Sequence, residues 1–168
     1  MPTIYLIEGP VGSGKSTIAM QLSEEHSAPR LILDEWMAIL FNADRPAGGS
    51  IEWYMERKER CLDQILKVAS SILLSSSNVV LELGLIRQSD RFKFYEWVDL
   101  VGVPLEIAVV DAPREIRRDR VKERNRTKGS TYFMEVPEHI FEVASDMWEP
   151  VDESEYANCV VTYIETDT

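Results

Sequence analysis

Cysteine and histidine are scarce, with two of each in 168 residues. Cys61 and Cys159 stand far apart, with neither disulfide nor metal-ligand spacing, so a stapled fold and a zinc site are both unexpected and a reducing compartment is favoured. His26 and His139 carry no nucleophilic or metal pattern and receive no role. Basic charge is also short: 18 Lys and Arg face 29 Asp and Glu, a formal net charge of -11. Loose binding to extended nucleic acid or to an anionic membrane needs a broad basic field, which this balance argues against, although a local basic groove is compatible with it. No apolar run is long enough to span a bilayer, and the first strand begins almost at residue 1 with no signal peptide ahead of it. A cytoplasmic location is therefore expected. Repeats, low-complexity tracts and linkers are missing too, so residues 1–168 are read as a single domain with one core.

What is present is a rhythm. "TIYLIEG" reads as a short buried strand, and "KSTIAMQLSEEH" after it has helical spacing. "RLILDE" reads as a second strand, "EWMAILF" as a short helix, and "NADRPAGGS" as loop, broken by Pro46 and the Gly48–Gly49 pair. From Ile51 to Ser75 an amphipathic helix places Ile51, Tyr54, Met55, Leu62, Ile65, Leu66, Ala69, Ile72 and Leu73 on one stripe. "NVVLEL" is a third strand, "QSDRFKFYEWVDLVG" a helix ending at Gly102, and "PLEIAVVD" a fourth strand. Pro113 suits the first position of the helix "PREIRRDRVKERN". "RTKGSTYFMEV" reads as loop, "PEHIFEVASDMWEP" as helix and "NCVVTYI" as the last strand. Strands alternating with helices predict an α/β fold: three layers, with a five-stranded parallel sheet between two helical layers.

"GPVGSGKST" at 9–17 fills GxxxxGK[ST] between a strand and a helix, the context in which that pattern forms a phosphate-binding loop. Gly9, Pro10, Val11, Gly12, Ser13 and Gly14 would curl so that backbone N–H groups converge on phosphate oxygens, and the helix starting near Lys15 adds partial positive charge. Lys15 would reach the β- and γ-phosphates of ATP, Ser16 would ligate Mg²⁺, and Thr17 completes the motif.

"LILDEW" offers two acids. The strand carrying it ends fewer than twenty residues after Lys15, so it directly follows the first helix, whereas the magnesium strand of hydrolytic ATPases usually comes later. Ligands of such sheets gather outside the carboxyl ends of the strands, so Asp34 is expected to face the phosphates across one crevice. There it would orient and deprotonate an acceptor hydroxyl. The competing reading makes Asp34 the N-cap of "EWMAILF". Glu35 suits a partner for the helix dipole.

The P-loop, "LILDEWMAILF", "VVLELG" and "RRDRVKERN" together resemble the small P-loop kinases: zeta-toxin-like, polynucleotide-kinase-like, gluconate-kinase-like and chloramphenicol-phosphotransferase-like proteins. Among them the likeness is nearest to bacterial members called AAA-family ATP-binding proteins. It spans nearly the whole chain. It implies a sheet of nucleoside-monophosphate-kinase type with a small arginine-bearing lid, spanning approximately residues 117–136. No arginine-finger or sensor pattern of a ring ATPase accompanies it.

The resemblance assigns Glu82, in "NVVLEL", a water-mediated contact to Mg²⁺ beside Ser16. A solvent-open edge position is the other reading, because a buried carboxylate is costly without a cation or donors. Arg87 and Arg91, one turn apart, could clamp an anionic group on the acceptor or could be solvated. Arg117, Arg120 and Arg124 share one helix face. They read either as salt-bridged surface or, by the resemblance, as lid arginines that fold over ATP. On that second reading Arg120 and Arg124 carry the role, and Arg117 and Arg126 are weaker. Trp36, with Met37, Phe41, Trp53 and Tyr54, could wall an acceptor pocket or be core. Asp111 reads as a turn residue. Three functions follow as expectations: a kinase of a small-molecule hydroxyl; a kinase of a nucleic-acid end or nucleotide sugar; and an ATP-binding switch acting through a protein partner.

Overall fold

A computed structural model describes residues 1–129 and 134–167. Five strands form one parallel sheet: β1 (Ile4–Glu8), β2 (Arg30–Ile32), β3 (Val79–Glu82), β4 (Leu105–Asp111) and β5 (Val160–Glu165). Their spatial order is β2-β3-β1-β4-β5, which puts the strand leading into the P-loop at the centre. Six helices connect them: α1 (Lys15–His26), α2 (Leu33–Phe41), α3 (Ile51–Leu74), α4 (Gln88–Val101), α5 (Arg114–Thr127) and α6 (Glu138–Met147). Single 3₁₀ turns at Asn42–Asp44 and Glu153–Glu155 fall in stretches read as loop or left unassigned.

The period-2 pattern of the strands divides the core into two layers. Ile4, Leu6, Val79, Leu81, Leu105, Ile107 and Val109 point to one face, where Met37 of α2, Ile65 and Ala69 of α3, and Phe94 and Val98 of α4 cover them. Tyr5, Ile7, Val80, Ala108 and Val110 point to the other face, against Ala19 and the flanking Ile18 and Leu22 of α1. Strands buried on both faces read as continuous apolar runs, and β1 and β3 do so until their last residue, a glutamate in each.

Two expectations are adjusted. The strand in "RLILDE" stops at Ile32, opposite Glu82, where β3 also ends; with no partner left to extend the ladder, the chain turns into α2 at Leu33. Asp34 thus lies in the first turn of a helix and not at a strand end. In α3 the buried stripe is Cys61, Ile65, Ala69 and Leu73, an i, i+4 series, whereas Ile51 and Met55 are exposed. The start of that helix packs on α2 through an edge-on Phe41–Trp53 pair. Among the described residues no helix is long and apolar enough to cross a membrane.

Candidate active site

The loop from Gly9 to Gly14 wraps the C-terminal end of β1, and its shape depends on missing side chains. A Cβ on Gly9 would lie 2.1 Å from the Val110 carbonyl oxygen, inside the neighbouring strand β4. Gly12 has φ +81°, and a Cβ there would meet the Arg117 carbonyl oxygen at 2.7 Å. The loop is therefore clamped between β4 and α5, with room only for backbone. Lys15 folds back over it, donating from Nζ to the carbonyl oxygens of Gly9 (2.8 Å) and Pro10 (3.1 Å). Burial lowers the pKa of this ammonium, and the carboxylates of Glu82, Asp34 and Glu8 oppose that shift.

A cavity of about 560 Å³ opens beside the loop, lined by Lys15, Ser16, Asp34, Glu82, Arg120 and Arg124 among others. Residues expected on opposite sides of a reaction thus share one space. Asp34 makes no helix-capping bond: the N-cap of α2 is Ile32, and no side chain caps that end. Its carboxylate acts electrostatically on both Lys15 and Arg124 across the cavity.

Four buried side-chain polar atoms have no hydrogen-bond partner among the described residues: Glu8 Oε1, Ser13 Oγ, Glu82 Oε2 and Arg124 Nε. Leaving such an atom unpaired in the interior costs about 1–3 kcal/mol each. All four surround the P-loop or line its cavity, and their chemistry is that of a site built for charge. Donors at Ser13 and Arg124 suit phosphate oxygens, and the carboxylates suit a divalent cation or the Lys15 ammonium. A Mg–nucleotide is compatible with this donor set: the loop amides, Lys15 and Arg124 could hold the phosphates, and Ser16 and Glu82 the cation.

Glu82 is 7% exposed on β3, an interior strand, which removes the edge-position reading. Burial raises its pKa, and Lys15 pulls it back down. Glu8, 1% exposed, occupies the matching last position of β1. Burial pushes its carboxyl up to about 8, against the pull of Arg91 and Lys15. In the sequence Glu8 reads as plain strand, yet its signal equals that of Glu82: an acid closing an otherwise apolar strand.

The arginines separate into kinds. Arg117 is buried and braces the site from behind, donating from Nη1 to the Val11 carbonyl oxygen and Ser145 Oγ and from Nε to the Ala112 carbonyl oxygen, each at 3.0 Å. Arg120 grips the loop at the Gly12 and Ser13 carbonyl oxygens (3.4 and 3.3 Å) and ties it to Thr166 beyond β5. Arg124, one turn farther on, lines the cavity, and burial lowers its pKa. Much of the expected lid is thus regular helix up to Thr127, packed on the P-loop; its residues 130–133 lie outside the described ones. Arg126 pairs with Glu123 on the surface.

The acceptor-side expectations fare less well. Arg91 is fully buried, forming a bidentate pair with Glu155 (2.9 and 2.8 Å) and donating to the carbonyl oxygens of Leu85, Glu149 and Pro150. It cannot clamp an acceptor, because its donors are already committed to the segment 149–155. Arg87 is exposed at the N-cap of α4, against Met147 Sδ. Trp36 packs part-buried against the core and is not among the residues lining the cavity. Asp111 accepts from the Ala112 N–H at 2.7 Å, as a turn residue does.

Residues 4–150 match the AAA_33 family, described as an AAA domain. The chain belongs to that family. No curated protein matches its sequence. Among solved structures, a candidate kinase of Chloroflexus aurantiacus j-10-fl superposes with TM-score 0.78 at 14% identity, covering 99% of this chain and 89% of its own. A sugar kinase of Janibacter sp. HTCC2649, unliganded, gives TM-score 0.67 at 15% identity, covering 98% and 86%. Chaetomium thermophilum Kti12, solved in complex with ADP-AlF3, gives TM-score 0.67 at 15% identity, covering 95% and 88%. At these identities the likeness establishes the fold, which is that of the small P-loop kinases.

Proposed function

We propose that this AAA domain is an ATP-dependent phosphotransferase that moves the γ-phosphoryl of Mg-ATP to a hydroxyl of a small molecule. The observation that carries the reading is Asp34 lining the same cavity as Lys15, with no capping bond to occupy its carboxylate. A hydrolase needs only a water in front of the phosphates, and a switch needs a loop that senses them. An exposed carboxylate lining the same cavity serves neither as directly as it serves an acceptor O–H.

ATP supplies the activated phosphoryl group, and Mg²⁺ neutralises phosphate charge. The residues supply position and charge. Asp34 accepts the hydrogen bond of the acceptor O–H and takes its proton as the new O–P bond forms. The bond from the γ-phosphorus to the β,γ-bridging oxygen breaks, and ADP leaves with that electron pair. Lys15 exchanges its two backbone carbonyls for phosphate oxygens. Arg124, whose buried Nε has no partner among the described residues, stabilises charge on the transferring group. An acceptor that begins as a neutral hydroxyl profits from a general base, whereas a phosphate acceptor is already anionic.

The likeness to a sugar kinase supports a hydroxyl acceptor. The test is ATP consumption by the purified protein against sugars, sugar acids, nucleosides, antibiotics and short RNA 5′ ends. The reading expects one small-molecule class to raise turnover well above the basal rate. Stimulation by RNA ends alone would move the assignment to a nucleic-acid kinase, and stimulation by nothing would make the protein a nucleotide switch.

A further inference from the structure

Asn125 closes the stretch "RRDRVKERN" one residue beyond Arg124, in the last turn of α5. Its side chain spends both ends on a single distant residue. Nδ2 donates to the Val136 carbonyl oxygen at 2.8 Å, and Oδ1 accepts from the Val136 N–H at 3.0 Å. A carboxamide carries a donor and an acceptor side by side, as a peptide unit does, so Val136 is held much as a neighbouring strand would hold it. The partners are 11 residues apart in sequence, so the contact is not local helix geometry. Just past Asn125 the helix ends at Lys128, whose φ of 51° turns the chain away. Beyond Val136, Pro137 is the N-cap residue of α6, and Phe141 is fully buried and roots that helix in the interior.

What the clamp holds matters for the site. Val136 lines the nucleotide cavity, and so does Met134 two residues before it. With Ile18 they bring apolar side chains to a lining otherwise made of glycines, hydroxyls, an amide and charged groups. Asn125 is not among the lining residues. It holds the wall without being part of it. Arg124, its neighbour in sequence, lines the same cavity with a buried Nε that has no hydrogen-bond partner among the described residues. Charge interactions strengthen as water is excluded, so an apolar surface held here increases what that donor and Lys15 can do for a phosphate.

We propose that Asn125 is a positioning residue for bound nucleotide: by clamping Val136 it holds Met134 and Val136 as the apolar wall that shields the phosphate-binding groups from water. A tie needed only for folding has a different signature. Its loss lowers the melting temperature, while the protein that remains folded binds nucleotide as before. The inference rests on reading this cavity as the Mg-ATP site, and not on transfer to a hydroxyl.

Calorimetric titration of the full chain with Mg-AMPPNP tests it, with the melting temperature of each unliganded variant measured alongside. Asn125→Ala should weaken binding by about ten-fold, the effect of one or two ordinary hydrogen bonds. Asn125→Asp keeps the shape and the acceptor but has no donor for the Val136 carbonyl oxygen, and should also weaken binding. Met134→Ala should weaken it too, because it trims the wall itself. The double variant Asn125→Ala/Met134→Ala should bind no more weakly than Asn125→Ala alone, since a released wall no longer contributes its methionine. Where Asn125→Ala does not fold, the same cycle built on Asn125→Asp decides. Binding by the Asn125 variants equal to wild type, Met134→Ala without effect, or losses that multiply in the double variant each overturn the proposal. Wild type that binds no Mg-AMPPNP would remove both this inference and the nucleotide site. Clamp-dependent binding without transfer to any acceptor would leave the inference standing and remove the kinase reading.

Discussion

Arg91 on α4 and Arg124 on α5 are both withdrawn from solvent beside the same sheet, and they do opposite things. Arg91 donates to a carboxylate and three backbone carbonyls, with Tyr95 completing the shell around Glu155 at 2.9 Å. It ties the segment around residues 149–155 to the start of α4. Arg124 has a buried Nε with no hydrogen-bond partner among the described residues and lines the cavity with Lys15 and Asp34. The difference teaches how to tell a structural arginine from one kept for a ligand. What decides is whether its donors are spent, since burial is common to both. The same test separates Glu155, fully engaged, from Glu8 and Glu82, each with an orphaned oxygen.

The comparison can be broken by mutation. Arg124→Ala should lower the transfer rate by roughly 10²–10³-fold, the usual cost of one donor to developing charge. Its melting temperature should stay level or rise, because an unsatisfied buried donor has been removed; enzyme assay and thermal scan together check this. Arg91→Ala should show the reverse signature. It strands Glu155 in the interior, a loss of about 3–5 kcal/mol, or a melting temperature lower by roughly 10 °C for a chain of this size. Transfer by the folded protein should be near wild type. A catalytic collapse in Arg91→Ala with unchanged stability would erase the distinction.

Glu8 sharpens the comparison through pH. Its carboxyl is pushed from the ordinary 4.5 to about 8 by burial, so between those values the folded chain binds a proton that the unfolded chain has released. Stability from this group is therefore present at low pH and is lost as pH rises from about 5 to about 8. Glu8→Gln, an uncharged isostere, should flatten that decline. Relative to the variant, wild type should lose roughly 3–5 kcal/mol across the window, read from urea melts at each pH. Equal slopes would mean Glu8 is ionised and paired in solution. The smallest effect belongs to Arg87→Ala. Among the described residues its exposed side chain makes a single hydrogen-bond contact, at 4.0 Å to sulfur, so both the melting temperature and the Michaelis constant for the acceptor should be unchanged.

The frame of the molecule was legible in the sequence because its signals are local. The P-loop spacing, the apolar runs of β1 and β3, the helical spacing of Ile65, Ala69 and Leu73 in α3 and Gly102 after α4 each act within a few residues. The phosphate side was legible for the same reason, since Gly9 to Thr17 is one contiguous motif. The acceptor side was not, because it depends on which distant partner a side chain finds. Arg87 and Arg91 look alike at one-turn spacing, and only Glu155, far along the chain, takes Arg91 out of play. Glu8 was hidden by position, as the last residue of a strand whose neighbours are all apolar. Even Asp34 reached the cavity by another local route, in a helix turn begun when β2 ran out of a pairing partner at the end of β3.

The central claim is that Asp34 faces bound nucleotide across one cavity and takes the proton of the acceptor. Single-turnover phosphoryl transfer by Asp34→Asn, with Mg-ATP affinity measured on the same preparation and Lys15→Ala as the binding-defective control, tests it most directly. The account predicts a loss of transfer of roughly 10²–10⁴-fold at unchanged ATP affinity, with Lys15→Ala losing both. Transfer by Asp34→Asn at the wild-type rate would contradict it.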